Sequence, residues 1–399
     1  MIIFLKKIVA VILIICIFLS GDIQICAGKE ASVGRIYSTA YCVMDGNNGR
    51  ALFGKKMNNP YANASTTKIL TCIIALEKCE LNEKVTVSKE AAGQSPVKLG
   101  ITQGEEYVLK DMIYSMMLES YNDCAYAVAE HVGKSAKNFA EMMNKKAKEL
   151  GCRNSNFVTP NGLDSKTSNH HTTAEDMCRI MRYCAWVSPC AKLFLKITGA
   201  PNYSFKHDGK VISVTNHNNM LSEKGYISGK TGYTSKAGYC YVAAWEKNGK
   251  KVIVTLLGCG WPNNKSYKWK DTRTLIEYAD TNYKLKKIQD LKKEYSLRMT
   301  GVHLEKYSLE DLYREVNIKL KDEGMDKWNG QYLISSDEKI QQKMENDKEI
   351  TELQAGDKIG EIIYYIEDIP VCRRKLVVSE AVTKWKFSEI VLVLLREFF

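Results

Sequence analysis

Ser65-Thr66-Thr67-Lys68 stands directly before Ile69-Leu70-Thr71-Cys72-Ile73-Ile74-Ala75-Leu76, an apolar run that predicts a buried helix. Ser65 and Lys68 are three residues apart, so on the first turn of that helix the hydroxyl and the amine point the same way and can meet. A hydroxyl needs a base to become a nucleophile, and a lysine can serve once burial or a neighbouring cation lowers its pKa. The free N–H groups of a helix start also suit an oxyanion. We therefore interpret Ser65 as a candidate nucleophile and Lys68 as its base.

The Ser-x-x-Lys pattern is weak by itself, because this chain contains it twice more. The other copies are Ser95-Pro96-Val97-Lys98 and Ser336-Asp337-Glu338-Lys339, and neither opens an apolar helix. Position ahead of a buried helix is what distinguishes Ser65.

Two further polar groups follow in the chain. Ser120-Tyr121-Asn122 interrupts a helical pattern that runs from Leu109 to Val132, and Lys230-Thr231-Gly232 precedes a pair of predicted strands. Each of these groups alone fits a turn or a hairpin entry. Their order after Ser65 is what makes them candidates for one site.

Other common catalytic arrangements lack support in the sequence. There is no Gly-x-Ser-x-Gly elbow, no His-Glu-x-x-His helix and no phosphate-binding loop, and the six histidines show no ligand spacing beyond the adjacent pair His170-His171. We interpret that pair as a structural, hydrogen-bonded element that borders the site. No metal or cofactor is expected.

The pattern from Ser32 to about Lys287 mixes short strands with helices and predicts a mixed α/β fold without a nucleotide fingerprint. Tyr41–Asp45 and the residues after the turn at 46–49 read as a hairpin, and Gly238–Trp245 and Lys251–Gly258 read as an antiparallel pair. We predict a domain at 28–287 on this basis.

Beyond the lysine-rich stretch near 284–293, short strand-like runs predict a mainly β domain at 288–380. Residues 381–399 form an amphipathic helical pattern with six apolar side chains on one side, namely Phe387, Ile390, Val391, Leu394, Leu395 and Phe398. This helix is too short and charged to cross a bilayer. We expect it to lie in a membrane surface, and docking on its own domain is the alternative.

The composition of the 399 residues, 45% hydrophobic and 26% charged, is that of a folded protein of two or three domains. A net charge of +11 favours contact with anionic polymers or lipid head groups. No basic stripe interleaved with aromatic residues is present, so nucleic acid is not an expected partner.

The N-terminus predicts export. Lys6 and Lys7 precede the apolar run Ile8–Leu19, and Ala27 and Gly28 are small, which is typical of a signal peptide at 1–27. An uncleaved anchor is the alternative. The thirteen cysteines include Cys16 and Cys26 in that segment, so an odd number remains without paired spacing, and we expect few or no disulfides.

The trio Ser-x-x-Lys, Ser-x-Asn and Lys-Thr-Gly resembles that of the penicillin-binding proteins and serine β-lactamases. The flanking segments resemble the low-molecular-weight D-alanyl-D-alanine carboxypeptidases, and these segments are Tyr61–Lys68, Met143–Ala147, Asn161–Asp164, His170–Asp176 and Lys230–Thr234. The likeness runs from about Ser38 to Lys287. It implies a β-lactamase/transpeptidase-like α/β (α+β) domain, with a central antiparallel sheet flanked by helices, and a small mainly β domain after it.

The resemblance implies that Ser65 attacks the penultimate D-alanine carbonyl of a peptidoglycan stem peptide, with Lys68 as base and an acyl-enzyme as intermediate. Ser120 would relay a proton to the departing amine. The implied substrate-binding residues are Asn122 for the peptide backbone, Lys230 as a positive charge that helps to keep Lys68 neutral, Thr231 for the terminal carboxylate, and Gly232 and Tyr233 beside the oxyanion hole, which the N–H groups of Ser65 and Tyr233 would form. β-Lactams are then expected as covalent inhibitors, and the site is expected outside the cytoplasm, at the cell membrane or wall.

Two alternatives remain open at this point. A serine β-lactamase of the same fold would hydrolyse its acyl-enzyme quickly, but the glutamate-asparagine signature of the best-known type does not follow the Ser-x-Asn element. A non-catalytic wall-binding scaffold is the second, although every reacting side chain is present.

Overall fold

The computed structural model describes most of the chain after its N-terminal segment. The described ranges are 33–163, 169–288, 295–300, 302–303, 313–321, 330–346, 353–378, 381, 383–384 and 386–398. The predicted signal peptide at 1–27 lies outside the described residues.

The first part of the chain alternates strands and helices. Its strands are β1 (Ala40–Asp45), β2 (Ala51–Lys55), β3 (Lys84–Thr86), β4 (Glu106–Val108), β5 (Asn202–His207), β6 (Lys210–Thr215), β7 (Tyr226–Thr234), β8 (Gly238–Lys247), β9 (Lys250–Leu257) and β10 (Tyr283–Lys287). Its helices are α1 (Lys68–Lys78), α2 (Lys89–Ala92), α3 (Leu109–Leu118), α4 (Asn122–Gly133), α5 (Ala136–Glu149), α6 (Ala174–Arg182), α7 (Ala191–Thr198) and α8 (Tyr267–Asn282).

The centre of this part is a five-stranded antiparallel sheet with the strand order β2-β1-β9-β8-β7. Successive side chains of a strand point to opposite faces. Cys42 and Met44 of β1 therefore pack in the core shared with α1 and α3–α7, whereas Tyr41 and Val43 pack with α8. The predicted fold class, a central antiparallel sheet flanked by helices, is confirmed.

Helix α1 lies inside the helical layer, because its sequence is apolar on every side. All residues from Lys68 to Leu76 are buried. A helix that is apolar all round belongs in a core. The prediction of a buried helix after Ser65 is confirmed.

The helical pattern of 109–132 is divided where the polar group interrupts it. Helix α3 ends at Leu118 and α4 begins at Asn122. Ser120 between them has a φ of +66°, a left-handed conformation that a non-glycine residue adopts at a cost of about 1–3 kcal/mol. The break places Asn122 in contact with Lys68 of α1 and Ser120 in contact with Lys230 of β7.

The later part of the chain is built from strands. These are β11 (Tyr295–Thr300), β12 (Val302–His303), β13 (Tyr313–Lys321), β14 (Gln331–Ser335), β15 (Ile340–Asn346), β16 (Lys358–Ile366), β17 (Ile369–Val378) and β18 (Thr383–Lys384), and α9 (Phe387–Phe398) follows them. Five of the strands form the sheet β11-β13-β17-β16-β15.

Strand β14 returns to the first part of the chain and pairs with β10. The Asp45 carboxylate accepts a hydrogen bond from the Leu333 N–H at 2.8 Å, and Arg50 forms an ion pair of 2.6 Å with Glu338. The strand pairing therefore crosses the predicted boundary at 287 and 288, and the exact division of the chain into domains stays a prediction.

Helix α9 exposes apolar side chains to solvent. Phe387, Val391, Leu392, Leu394 and Leu395 are all exposed. None of the helices in the described ranges has the length and apolarity needed to span a bilayer.

Candidate active site

Ser65 lies in a single 3-10 turn, Ala64–Thr67, that leads directly into α1. The Asn63 amide donates to the hydroxyls of Thr66 and Thr67 at 3.1 and 2.9 Å and so ties the turn together. The backbone of Gly162 packs against the same turn: a β-carbon at Gly162 would lie 1.8 Å from the Ala64 carbonyl oxygen. The position of Ser65 thus depends on a glycine almost a hundred residues away in sequence.

The Lys68 amine has three hydrogen-bond partners and no exposed surface. Its Nζ lies 2.8 Å from Ser65 Oγ, 2.7 Å from Asn122 Oδ1 and 3.0 Å from the Asn161 carbonyl oxygen. Burial holds the pKa of Lys68 well below the ordinary 10.5, and the nearby charge of Lys230 adds to the effect.

A neutral Lys68 amine has two N–H groups and one lone pair. Two of its partners, Asn122 Oδ1 and the Asn161 carbonyl, can only accept, so they take the two N–H groups. The lone pair is then left for the Ser65 hydroxyl, which donates to it. This arrangement is what a base needs in order to take the proton of Ser65.

A second amine, that of Lys230, faces the same cleft. Its Nζ donates to Ser120 Oγ at 2.9 Å and to the Thr231 carbonyl at 3.1 Å. Burial lowers the pKa of Lys230 to about 7. Ser120 and Asn122 therefore contact different lysines, and the short segment between α3 and α4 joins the two pairs.

The Asn122 side chain is fixed by a loop that the sequence did not mark as part of the site. Asn122 Nδ2 donates to the Ser95 carbonyl at 3.0 Å, and the Asn122 N–H donates to the Val97 carbonyl at 2.7 Å. These contacts orient the amide oxygen towards Lys68. The segment Ser95–Lys98, set aside above as a catalytic motif, thus supports the site through its backbone.

Asp123 holds that loop in place. Its buried carboxylate accepts hydrogen bonds from the backbone N–H groups of Leu99, Gly100 and Ile101 at 3.0, 2.8 and 3.3 Å. Asp123 therefore holds the segment 95–101 in place, and this segment in turn orients the side chain of Asn122.

Strand β7 passes close to Ser65 on the other side of the cleft. It is an edge strand of the central sheet, and a β-carbon at Gly232 would lie 2.9 Å from the Ser65 nitrogen. Only glycine leaves this approach open. Thr231 is partly exposed, and Tyr233 is 38% exposed with its ring 4.6 Å from that of Tyr239.

His170 lies behind the turn. Its Nε2 is 3.0 Å from Thr67 Oγ1, and its Nδ1 accepts from the N–H groups of Val158 and Thr159 at 3.1 and 3.3 Å. Since Nδ1 accepts, Nε2 carries the proton and donates to Thr67. This supports the interpretation of His170 as a structural element.

All eight residues singled out in the sequence thus lie within one cluster of contacts or on the strand beside it, although the roles assigned to them stay predictions. The sequence missed Gln94, whose Oε1 accepts from the Asn161 side chain at 2.8 Å. No role was predicted for Asn161, whose backbone carbonyl accepts a hydrogen bond from Lys68. Groups able to ligate a metal lie elsewhere, at Cys79, Glu83 and His131 and at Glu105, His207 and Asp208.

Comparison with known proteins gives the family. The sequence profile described as D-alanyl-D-alanine carboxypeptidase matches residues 27–260, more than half of the chain. The chain belongs to the D-alanyl-D-alanine carboxypeptidase family. The resemblance noted in the sequence is thereby confirmed.

Relatives in this family are 28–29% identical to the chain over the aligned stretches. D-alanyl-D-alanine carboxypeptidase DacF of Bacillus subtilis is 28% identical over 64% of this chain and 65% of its own length. DacA of Haemophilus influenzae is 29% identical over 66% of each. The chain thus spans just under two thirds of these relatives.

Solved structures of a carboxypeptidase and of two penicillin-binding proteins are similar to this chain. A D-alanyl-D-alanine carboxypeptidase from Mycobacterium tuberculosis has a TM-score of 0.59 at 26% identity and covers 63% of this chain and 94% of its own. Penicillin-binding protein 5 from Haemophilus influenzae, 22% identical, has a TM-score of 0.65 over 88% of this chain and 99% of its own, which shows the shared fold. Penicillin-binding protein D2 from Listeria monocytogenes, solved in the ampicillin-bound form, is 26% identical with a TM-score of 0.54 over 61% and 97%.

Proposed function

We propose that this member of the family is a serine-type D-Ala-D-Ala carboxypeptidase, which removes the terminal D-alanine from peptidoglycan stem pentapeptides. The observation that carries the proposal is the buried Lys68 amine, 2.8 Å from the Ser65 hydroxyl and without a carboxylate partner among its contacts. The names of the relatives supply the substrate class.

In the first step, Ser65 Oγ forms a bond to the carbonyl carbon of the penultimate D-alanine, and its proton passes to Lys68 Nζ. The carbonyl oxygen becomes an oxyanion. The N–H groups of Ser65 and Tyr233 are proposed to stabilise it, since Gly232 leaves the approach to the Ser65 nitrogen open.

In the second step, the carbon–nitrogen bond breaks and the leaving D-alanine takes a proton. Ser120, whose hydroxyl contacts Lys230, is proposed to deliver its own proton to the amine. In exchange Ser120 takes back, by way of Lys230, the proton that Lys68 received from Ser65, so Lys68 is neutral again. An ester on Ser65 remains. Water then attacks the ester carbon while Lys68 takes its proton. The bond between that carbon and Ser65 Oγ breaks, Lys68 returns the proton to Ser65, and the shortened peptide is released.

Lys230 and Thr231 are proposed to bind the terminal carboxylate of the substrate. A carboxylate beside Lys230 favours its charged form and would raise its pKa from about 7. The positive charge of Lys230 would then attract the substrate carboxylate and also lower the pKa of Lys68, which helps to keep that amine neutral. Asn122 would hydrogen-bond the peptide backbone through the side-chain N–H that does not bind the Ser95 carbonyl.

β-Lactams are proposed as covalent inhibitors that acylate Ser65 in the same way. This rests on the penicillin-binding neighbours, of which the Listeria protein was solved with ampicillin and with cefotaxime bound. A β-lactamase would release the hydrolysed drug rapidly instead of keeping it.

The test is release of free D-alanine from a purified pentapeptide, run beside labelling with a fluorescent penicillin. We expect D-alanine release and a lasting adduct on the peptide that contains Ser65, located by mass spectrometry, and neither of them in Ser65→Ala. Rapid turnover of the penicillin without D-alanine release would favour a lactamase. If a folded protein showed neither activity, the result would favour the alternative that the protein is a non-catalytic wall-binding scaffold.

We further propose that the protein acts outside the cytoplasm, where peptidoglycan lies, and that α9 associates with a membrane surface. The exposed side chains Phe387, Leu392 and Leu395 support this second point. Deletion of residues 384–399 from the mature protein should abolish its binding to anionic lipid vesicles in a flotation assay. Equal flotation with and without these residues would contradict the proposal.

A further inference from the structure

Three side chains able to ligate a metal ion converge at the end of α1 remote from Ser65. Cys79 follows the last residue of α1, Glu83 precedes β3, and His131 lies in the last turn of α4. Their ligand atoms all lie within 4.8 Å of one another, and His131 Nε2 is 2.8 Å from Glu83 Oε2. None of the three belongs to the cleft described above.

We propose that Cys79, Glu83 and His131 form a structural Zn²⁺ site with water as the fourth ligand. A thiolate, an imidazole and a carboxylate are the three ligand types that Zn²⁺ takes in proteins, and the thiolate disfavours Mg²⁺ and Ca²⁺. The proposal is independent of the proposed enzymatic function.

The spacing of the ligand atoms fits such a site after small side-chain movements. Tetrahedral Zn²⁺ with bonds of about 2.0 Å to N and O and 2.3 Å to S separates the ligand atoms by roughly 3.3–3.6 Å. The imidazole and the carboxylate would part by about half an ångström from their present hydrogen bond, and the thiol would approach them.

The surroundings hold the ligands in place yet leave them accessible. The second carboxylate oxygen of Glu83 accepts from the Glu80 N–H at 2.6 Å, which is the kind of contact that orients a metal ligand. The Glu83 carbonyl accepts from Leu109 N–H at 2.9 Å and anchors the loop. The side chains of His131 and Glu83 are 18% and 39% exposed, so a cation and a water molecule can reach them.

The thiol is protonated before a metal arrives. Burial raises the pKa of Cys79, and the neighbouring Glu83 adds to this effect. The incoming Zn²⁺ would displace that proton and replace the hydrogen-bonded cluster by metal bonds. The second cluster, Glu105, His207 and Asp208, offers no thiolate and includes a largely exposed aspartate, so it serves as an internal comparison.

Such a site would link α1 to α4, which pack against each other. The opposite ends of these helices carry Lys68 and Asn122. The metal would therefore stabilise the helix pair without touching a reacting group.

The test is titration of the purified full chain, freed of metals, with zinc chloride and separately with magnesium chloride, by calorimetry. We expect one saturable Zn²⁺ site, no Mg²⁺ binding and a higher unfolding temperature with Zn²⁺. Cys79→Ser and His131→Gln should each weaken Zn²⁺ binding by at least about tenfold. The matched controls Cys152→Ser and His207→Gln should bind as the wild type does.

Two ligand variants are tested so that the experiment is still informative if one of them does not fold. Circular dichroism shows whether each variant is folded. The proposal is overturned if the wild type shows no saturable Zn²⁺ site. It is equally overturned if Cys79→Ser and His131→Gln, both folded, bind Zn²⁺ as tightly as the controls.

Discussion

Lys68 differs from the other lysines of Ser-x-x-Lys segments in its burial and its partners. Lys98 is exposed and its amine lies 3.4 Å from the Ala92 carbonyl, with no hydroxyl partner. A lysine in water keeps its proton at neutral pH and cannot act as a base. The same four-residue pattern thus places one lysine in the core beside a serine hydroxyl and another at the surface.

Lys68→Ala should reduce the rate of Ser65 acylation by roughly a thousandfold or more, because a nucleophile and its base act as a unit. Lys98→Ala is the matched control and should change the rate less than about twofold, as expected of a surface substitution. Stopped-flow labelling with a fluorescent penicillin measures both rates. Normal acylation by Lys68→Ala would show that the base has been misassigned.

Gly162→Ala should disturb Ser65 from a distance. Gly162 and Gly151 have nearly equal φ values of +79° and +77°, so alanine costs about 1–2 kcal/mol of backbone strain at either position. Only at Gly162 would the new β-carbon overlap the Ala64 carbonyl oxygen. We expect Gly162→Ala to lose a further 1–3 kcal/mol or so of unfolding free energy and most of its acylation rate.

Gly151→Ala is the control for that prediction, since nothing lies within 4 Å of its β-carbon position. Denaturant unfolding and penicillin labelling of the two variants give the comparison. Equal effects of the two substitutions would mean that backbone strain, and not the contact with the Ser65 turn, is what matters.

At the residue scale, local spacing was enough to predict the contact between Ser65 and Lys68, because residues three positions apart on a helical turn lie on the same face. The contacts of Asn161 and Ser95 could not be predicted. They act through backbone carbonyls, which every residue has, and so leave no signal in the side-chain pattern.

At the scale of elements, the loop 95–101 and the start of α4 support each other. Asp123 accepts three backbone N–H groups from the loop, and the loop returns two carbonyl oxygens to Asn122. The helix break at Ser120 was predicted from its polar residues. The loop that completes the arrangement was not, because its exposed side chains follow no periodic pattern.

Asp123→Ala should release this loop. Three backbone N–H groups would lose their acceptor, at a cost of about 3 kcal/mol in unfolding free energy, and Asn122 would lose its fixed orientation. We expect a fall in the acylation rate under conditions where the variant is still folded. Thermal unfolding and penicillin labelling at low temperature measure the two effects.

Asp176→Ala provides the control, because Asp176 similarly accepts from the N–H groups of Arg153 and Asn154 but does not contact the loop at 95–101. It should lose comparable stability and keep its acylation rate. If both variants acylate equally fast, the loop does not position Asn122 for the reaction.

At the scale of the whole molecule, two lysines buried close together make the fold sensitive to pH. The folded-state pKa of Lys230 is about 7 and that of Lys68 is also lowered, whereas the unfolded chain holds these protons up to about 10.5. Between these limits the unfolded state binds more protons, so the unfolding free energy rises with pH. Each unit of pKa shift corresponds to about 1.4 kcal/mol.

Lys230→Met should remove part of that rise. We expect the stability difference between wild type and variant to change in favour of the wild type from pH 7 to pH 10, as measured by urea unfolding. Taking the difference cancels the titration of the buried tyrosines, which both proteins share. Parallel stability curves would show that Lys230 is charged in the folded protein.

The whole-molecule arrangement was predicted only in outline. Hairpin signals predicted the pairs β1–β2 and β8–β9, because adjacent strands joined by short turns pair locally. The insertion of β1 between β2 and β9, and the pairing of β10 with β14, join segments far apart in sequence. Such contacts depend on the shape of the packed core and leave no local pattern.

The proposed mechanism requires a neutral Lys68 amine, and NMR titration of the Lys68 side chain in isotopically labelled protein measures its charge state directly. The Lys68 signal is assigned by its absence from Lys68→Met. We predict that this signal titrates well below 10.5 and reports a neutral amine at the pH where D-alanine release is fastest. Titration in the range of a solvated lysine, with the amine charged while the enzyme works, would contradict the account.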